Sequence, residues 1–203
     1  MYPAIKSKRL SGEEQILAPG GESISKLSDF WRWAYSDLIG NAERGVLAEY
    51  IVACSLELNN TTHISWDKYD LLTDDGISVE VKTSAYIQTW KQKSLSKLSF
   101  GIQPTYGWDS NTNELGKDKK RQADIYVFCV HKHTEQDTIN PLDISQWEFY
   151  LSPTSTLNAK FGNQKTTSLS ALKKAGAELC AYNNLKTRIM ALIHQKAQAN
   201  TES

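Results

Sequence analysis

The sequence predicts an α/β domain in which helices flank a mixed β-sheet. Three patterns predict it: a helix over 42–58 that is apolar almost all round, a β-hairpin pattern over 66–84, and a nearly continuous apolar run over 123–130. Helical and strand patterns alternate along the chain, as is typical of a sheet whose faces are covered by helices. The 203 residues contain no repeat or central low-complexity linker, so we expect a single domain over 27–203.

The first 26 residues are polar and are interrupted by two prolines and a Gly-Gly pair, which predicts a flexible N-terminal arm. A short aromatic helix should follow, with Ser28 and Asp29 as the residues that cap its start. The pair Gly40-Asn41 should end this helix and begin the next.

The second helix, over 42–58, carries Glu49 within a stripe of small apolar residues. A lone carboxylate is costly to desolvate there, so it needs a partner. An ion pair with a nearby Arg or Lys, or an exposed edge position, would explain it structurally. A functional carboxylate that binds a metal is the alternative.

Two strands, over 66–73 and 77–84, are joined by Asp74-Asp75-Gly76. A two-residue turn would direct Asp70 into the apolar face. A three-residue loop with Gly76 in the left-handed conformation places Asp70 opposite Glu80 instead. We expect the three-residue loop, which puts Ile77, Val79 and Val81 in the core and groups Asp70 with Ser78, Glu80, Lys82 and Ser84 on the other face.

This face of the hairpin has the side chains of a divalent-metal site. Asp70 and Glu80, with the backbone carbonyl of Val81, offer the hard oxygen ligands that Mg²⁺ prefers, and Mn²⁺ would substitute. Lys82 lies on the same face, where it could deprotonate an attacking water if its pKa were lowered, or otherwise stabilise pentavalent phosphorus. Glu49 could bind the metal through water or through a second ion. Glu-x-Lys alone occurs by chance in many strands, so the prediction depends on its combination with Asp70 and Glu49.

The order of Glu49 on a helix, Asp70 on a strand and Glu80-Val81-Lys82 on the next strand resembles the PD-(D/E)XK phosphodiesterase superfamily. Tyr69 stands where that motif often has proline. The resemblance covers about residues 40–170 and implies a restriction-endonuclease-like αβββαβ core, Mg²⁺ dependence and a nucleic-acid substrate. It also implies that Glu49, Asp70, Glu80 and Lys82 are the catalytic residues. Residues 80–90 and 121–128 are further similar to a group of uncharacterised bacterial proteins of this fold.

The remaining segments predict strands over 98–103 and 147–151, a helix capped at Ser168 or Ser170, and a last helix over 177–195. Residues 104–121 form a long polar excursion that contains Tyr106 and Trp108, whose rings could stack on bases. Gln88 and Gln122 could steady a metal or a phosphate, although a surface amide explains them equally well. The alternating His131 and His133 have no third ligand nearby in sequence, which favours a polar strand end over a metal site.

Lysine and arginine equal aspartate and glutamate at 23 each, so any DNA-binding face must be local. Basic side chains cluster in two stretches, and solvated faces are the structural alternative to phosphate binding. The residues that we expect to bind nucleic acid are Lys91, Lys93, Lys119, Lys120 and Arg121.

The three cysteines are widely spaced among apolar residues, which indicates buried reduced thiols. No stretch predicts a signal peptide or a membrane span, so we expect a cytoplasmic protein. The expected function is Mg²⁺-dependent hydrolysis of DNA by an endonuclease of restriction or defence type, acting as a symmetric dimer. A non-cleaving nucleic-acid-binding or assembly subunit with the same fold, and a structure-specific repair or recombination nuclease, are the alternatives.

Overall fold

The computed structural model describes residues 2, 5, 7–63, 68–109 and 112–201. Residues 66 and 67 of the predicted first hairpin strand lie outside this description. The elements in chain order are β1 (Gln15–Leu17), β2 (Ser23–Lys26), α1 (Leu27–Tyr35), α2 (Asn41–Ser55), β3 (Leu71–Leu72), β4 (Ser78–Ala85), β5 (Ser99–Gly101), β6 (Thr105–Asp109), β7 (Glu114–Lys120), β8 (Ile125–His131), β9 (Trp147–Pro153), α3 (Thr154–Phe161), β10 (Thr166–Ser168), α4 (Leu169–Lys174), β11 (Glu178–Cys180) and α5 (Leu185–Thr201).

Within the described part of the chain, a five-stranded mixed sheet forms the centre of the fold, in the order β11-β9-β8-β4-β3. The strands β4 and β8 pair in parallel, and the other neighbours are antiparallel. This arrangement confirms the predicted class, a mixed central sheet flanked by helices. Along the chain α2 precedes β3 and β4, whereas β8 and β9 come in succession before α3.

Apolar side chains cover both faces of the sheet. On one face, α2 and α5 pack through Ile51, Val52 and Ile189 against residues of β4 and β8. On the other face, β5, α3 and α4 enclose Phe128. All seven residues of β8 are buried as a result, which explains why its sequence is almost continuously apolar. Burying a side chain such as Phe128 stabilises the fold by about 1.5–3 kcal/mol.

The hairpin between β3 and β4 has the expected three-residue loop. The N–H of Thr73 donates to the carbonyl of Ile77 over 2.9 Å, and Gly76 adopts a φ of 79°, which glycine accepts without steric cost. Leu71 pairs with Val79, so the next position places Asp70 opposite Glu80. The first strand is much shorter than predicted, and Asp70 lies just before it.

The helix α2 ends at Ser55, three residues earlier than predicted. Glu57 has a φ of 62° and so turns the chain out of the helix, while the N–H of Leu58 donates to the carbonyl of Ala53. Glycine is the usual residue at such a position, and for that reason the sequence did not indicate this helix end.

Asp124 ties the start of β8 to the start of β4. Its carboxylate accepts hydrogen bonds from the N–H of Ser78 over 3.0 Å and from the Ser78 hydroxyl over 2.7 Å. The N–H of Asp124 donates to the carbonyl of Ser78. These bonds fix the parallel register that brings Tyr126 beside Glu80.

Three segments differ from their predictions. Residues 15–26 of the expected arm contain the β1–β2 hairpin, and residues 104–121 contain the β6–β7 hairpin. The predicted last helix begins at Leu185 rather than near Ala177, because β11 first pairs with β9. The N-cap at Ser168 is confirmed, since its side chain accepts from the N–H of Ala171. None of the described helices has the length and apolar character that crossing a membrane requires.

Candidate active site

Asp70 lies half-buried at the end of the hairpin, where its carboxylate accepts a hydrogen bond. The N–H of Val81 donates to Oδ2 of Asp70 over 2.6 Å. Burial raises the pKa of the Asp70 carboxyl, and the nearby Lys82 ammonium and the Val81 N–H partly oppose this rise. The side chain is therefore turned toward β4, as the three-residue loop predicted.

Glu80 and Lys82 form an ion pair on β4. Nζ of Lys82 lies 2.5 Å from Oε1 of Glu80, and the two side chains are 32% and 18% exposed, respectively. Burial and the charge of Asp70 raise the pKa of the Glu80 carboxyl. Burial alone would lower the pKa of Lys82, but the carboxylates of Glu80 and Asp70 outweigh it and raise this pKa. This direction favours a charged ammonium over a neutral amine, the alternative that the sequence left open.

Glu49 projects from α2 toward the same place. Its Oε2 lies 2.7 Å from Nε2 of His63, and its side chain is 17% exposed. Burial and the charge of Asp70 raise the pKa of the Glu49 carboxyl, while His63 and Lys82 lower it. The partner of the Glu49 carboxylate is therefore a histidine from the segment after α2. The sequence had suggested an Arg or a Lys for a purely structural ion pair.

The structure thus brings together side chains from α2, from the residue before β3 and from β4. The charge of Asp70 acts on both Glu49 and Glu80. Among the described residues, no group of three or more His, Cys, Asp or Glu side chains has the arrangement of a metal-binding cluster. The charges of three carboxylates act on one ammonium group, and we call these four side chains the acidic cluster (Glu49, Asp70, Glu80 and Lys82).

Two residues of this neighbourhood were missed by sequence reasoning. His63 follows α2 in an irregular segment, where no periodic pattern indicates which residue returns to the helix. Tyr126 pairs with Glu80 in the β4–β8 register, and burial followed by the charge of Glu80 raises its pKa. Its position inside a continuous apolar run concealed it, because such a run assigns both faces of a strand to the core.

The β6–β7 hairpin lies at the same end of the sheet as Asp70. A cavity of about 670 Å³ separates it from the segment of Lys68 and Tyr69, which directly precedes Asp70. Two of the expected DNA-binding residues, Lys119 and Lys120, are exposed on β7. Lys120 lines the cavity, while Nζ of Lys119 lies 5.2 Å from the centre of the Tyr106 ring.

Lys91 and Lys93 are exposed but lie elsewhere. They follow Ala85, the carboxyl end of β4, which is five strand residues beyond Glu80 and hence about 16 Å away along the strand. Lys93 lines a separate cavity together with Glu135 and Asp137. The structure does not bring these two lysines to the acidic cluster.

The structure contradicts the prediction that Arg121 binds phosphate. The residue is only 5% exposed, and its guanidinium is used inside the protein. It donates to the carbonyl of Ile102 over 2.8 Å, to Oδ1 of Asn158 over 2.6 Å and to the carbonyl of Gly162 over 2.9 Å. Arg121 therefore joins the residue that follows β5 to α3 and presents no free face to a ligand.

The other polar candidates have structural partners too. Gln88 is buried and donates to the carbonyl of Ala85 over 2.9 Å, and Gln122 donates to the carbonyl of Thr105 over 2.8 Å. His131 is buried with its ring 4.9 Å from that of Trp147, and Nε2 of His133 lies 2.7 Å from the Thr138 hydroxyl. These contacts assign Gln88 and His131 to the core.

A sequence model of the bacteriophage T4 endonuclease IV family matches residues 28–171, which is more than half of the chain and includes the whole acidic cluster. Together with the α/β fold and this cluster, the match defines the class of the protein, a nuclease. The chain belongs to the bacteriophage T4 endonuclease IV family. No curated protein and no solved structure matches it.

Proposed function

We propose that this nuclease is a Mg²⁺-dependent endonuclease that hydrolyses phosphodiester bonds of DNA at the acidic cluster. One observation carries the proposal: Glu49, Asp70 and Glu80 come from three chain segments, are half-buried, and all act through their charges on Lys82, which is paired with Glu80. Burial and mutual repulsion make such a cluster costly for the fold. Charged side chains that are kept together although they lower the stability of the fold are typical of functional sites.

The chemistry of the donor set, and not an arrangement already formed around an ion, fits a hard divalent cation. Its members are carboxylate oxygens, and three carboxylates face one lysine, so the cluster carries an excess of negative charge. Asp70 and Glu80 would hold Mg²⁺ or Mn²⁺ with the backbone carbonyl of Val81, and Glu49 would be the accessory ligand. When bound, the ion would act as a Lewis acid on the phosphate and lower the pKa of a water molecule.

The side chains themselves have separable roles. Lys82 supplies a positive charge that would stabilise the negative charge developing on the phosphate oxygens. Glu80 holds that ammonium at 2.5 Å and thereby orients it. Nε2 of His63 lies 2.7 Å from Oε2 of Glu49 and would hold this carboxylate in place. The hydrogen bond from Val81 fixes the rotamer of Asp70.

The β6–β7 hairpin supports a path for the DNA. Its lysines Lys119 and Lys120 are exposed, and Lys120 lines the cavity that also touches Tyr69, next to Asp70. Phosphate groups attract such side chains independently of base sequence, so these lysines would position the strand. The exposed ring of Tyr106 lies in the same hairpin and would stack on a base.

The test is cleavage of plasmid and linear DNA in Mg²⁺, in Mn²⁺ and in EDTA, with wild type, Glu80→Gln and Lys82→Ala. We expect both substitutions to lower the rate by about a hundredfold or more and EDTA to abolish it. Glu57→Gln is the matched control, because Glu57 forms an equivalent 2.5 Å pair with Lys186 on the surface. Full activity of both cluster variants would refute the proposed site. DNA binding without cleavage by wild type would favour the non-cleaving subunit.

A further inference from the structure

An apolar cavity of about 300 Å³ opens beside the acidic cluster. Glu49 and Asp70 form part of its wall, as does His63. The remaining wall is mainly apolar and includes Val46, Tyr50 and Leu58. The volume lies at the lower end of the range of about 300–1,000 Å³ that is usual for small-ligand pockets.

The cavity is open to the outside rather than sealed in the core. Tyr50 and Tyr35 lie on its wall and are 53% and 48% exposed. Val46 is likewise exposed on α2. An apolar ligand could therefore enter without unfolding any element, and it would bury aromatic surface that is now in contact with water.

The position of the cavity indicates its occupant. A group that enters it lies next to Glu49 and Asp70, so it must be linked closely to the atoms that react there. In a DNA strand, the group nearest to a phosphodiester that can leave the stack and fill an apolar space is a nucleobase. The tyrosines offer stacking surfaces, and Asn59 and Thr62 at the wall offer hydrogen-bonding groups for a base edge.

We propose that this cavity binds one unstacked nucleobase adjacent to the bond that is cleaved. The inference rests on the proposed function, and it adds a second recognition element to the acidic cluster. A base that enters the cavity has left its neighbours in the strand, so the pocket anchors the substrate and aligns the phosphate with Asp70. The shape of the cavity and its polar wall would set a preference among bases.

The experiment is an abasic scan. The cleaved bond is first located in a DNA fragment, and each nearby nucleotide of a synthetic oligonucleotide is then replaced in turn by a tetrahydrofuran abasic analogue. We expect one position next to the cleaved bond at which the missing base lowers kcat/KM by about tenfold or more. Elsewhere the replacement should have little effect.

Two variants link that position to the cavity. Val46→Trp fills the space, and Tyr50→Ala removes a stacking surface without adding volume. Both should lower kcat/KM for the intact oligonucleotide by about tenfold and leave kcat/KM for the critical abasic oligonucleotide unchanged. Ala42→Trp is the control, because Ala42 is exposed on the same helix outside the cavity wall and should change neither value. Thermal unfolding of each variant verifies the fold.

The outcomes separate this inference from the proposed function. If the protein cleaves but no single base matters, or if Val46→Trp and Tyr50→Ala act equally on intact and abasic DNA, the pocket is refuted while the nuclease centre stands. If no oligonucleotide is cleaved, the same scan is read by fluorescence anisotropy. The pocket would be supported if one abasic position weakened binding to wild type and if Val46→Trp removed this difference between intact and abasic DNA. Equal binding of all the oligonucleotides would refute it.

Discussion

Lys82 and Glu80 are joined by a 2.5 Å contact between Nζ and Oε1, and the charge of the Asp70 carboxylate acts on both side chains. The alternation of β4 puts the two on one face, two residues apart. Because the surrounding carboxylates raise the pKa of Lys82, the ammonium form dominates at neutral pH. In the proposed reaction, Lys82 therefore stabilises charge and does not act as the base.

This role makes Lys82→Arg distinguishable from Lys82→Ala. Arginine keeps a permanent positive charge and cannot serve as a base, whereas alanine removes the charge. We expect Lys82→Ala to lower kcat by about a hundredfold or more, and we expect Lys82→Arg to keep at least part of the activity that alanine abolishes. Single-turnover cleavage of a labelled DNA fragment measures both. Equal inactivity of the two variants, with intact folding, would contradict the charge-stabilising role.

Asp70→Asn should separate stability from activity. Asparagine keeps an oxygen that can accept the Val81 N–H and removes one charge from the crowded acidic cluster. Because burial raises the pKa of the Asp70 carboxyl, the charged form costs folding energy. We expect the free energy of unfolding to stay the same or rise by about 1 kcal/mol, as in other active sites, while cleavage is lost.

Urea unfolding of wild type and Asp70→Asn at neutral pH gives the comparison. Asp74→Asn in the exposed hairpin loop serves as the control for a change of net charge. A marked destabilisation by Asp70→Asn alone would show that the carboxylate supports the fold.

Because His131 is buried, we expect the protein to lose stability in mild acid. Burial lowers the pKa of His131 to about 4, and the Asn140 backbone only partly opposes this shift. The unfolded chain, with a histidine pKa of about 6.5, binds a proton at a higher pH than the folded chain. The contribution of His131 to the free energy of unfolding is therefore fully present above about pH 6.5. As the pH falls toward 4, this free energy decreases by at most about 3 kcal/mol.

His131→Asn isolates this effect, because asparagine does not titrate. Urea unfolding between pH 4 and pH 7 should show a difference between wild type and variant that narrows as the pH falls. A difference that is independent of pH would mean that His131 titrates equally in the folded and unfolded chains.

Arg121 and Lys120 are neighbours in sequence but should respond to different measurements. Arg121→Ala removes three internal hydrogen bonds and should lower the free energy of unfolding by about 3 kcal/mol or more. Lys120→Ala should leave stability nearly unchanged. If DNA lies along β7, Lys120→Ala should reduce by about one unit the slope of log K for DNA binding against log salt concentration. A salt slope that is equal to that of wild type would remove Lys120 from the interface.

Local patterns predicted much of the fold. Period-two alternation assigned Val79 and Val81 to the core and Glu80 and Lys82 to the other face, and the loop chemistry at Gly76 predicted the register that sets Asp70 opposite Glu80. These patterns succeed because they depend on neighbours within a few residues. The end of α2 was placed wrongly because Glu57 adopts a conformation for which its residue type is unusual.

The sequence by itself determined the face of β4 on which Glu80 and Lys82 lie and the register that sets Asp70 opposite Glu80. Only the tertiary structure decided that Glu49 pairs with His63, that Arg121 is internal, and that an apolar cavity adjoins Asp70. The physical reason is that these features depend on distant segments meeting. Hydrogen bonding and burial are satisfied across the whole fold, and no local pattern records which partner a buried polar group will find.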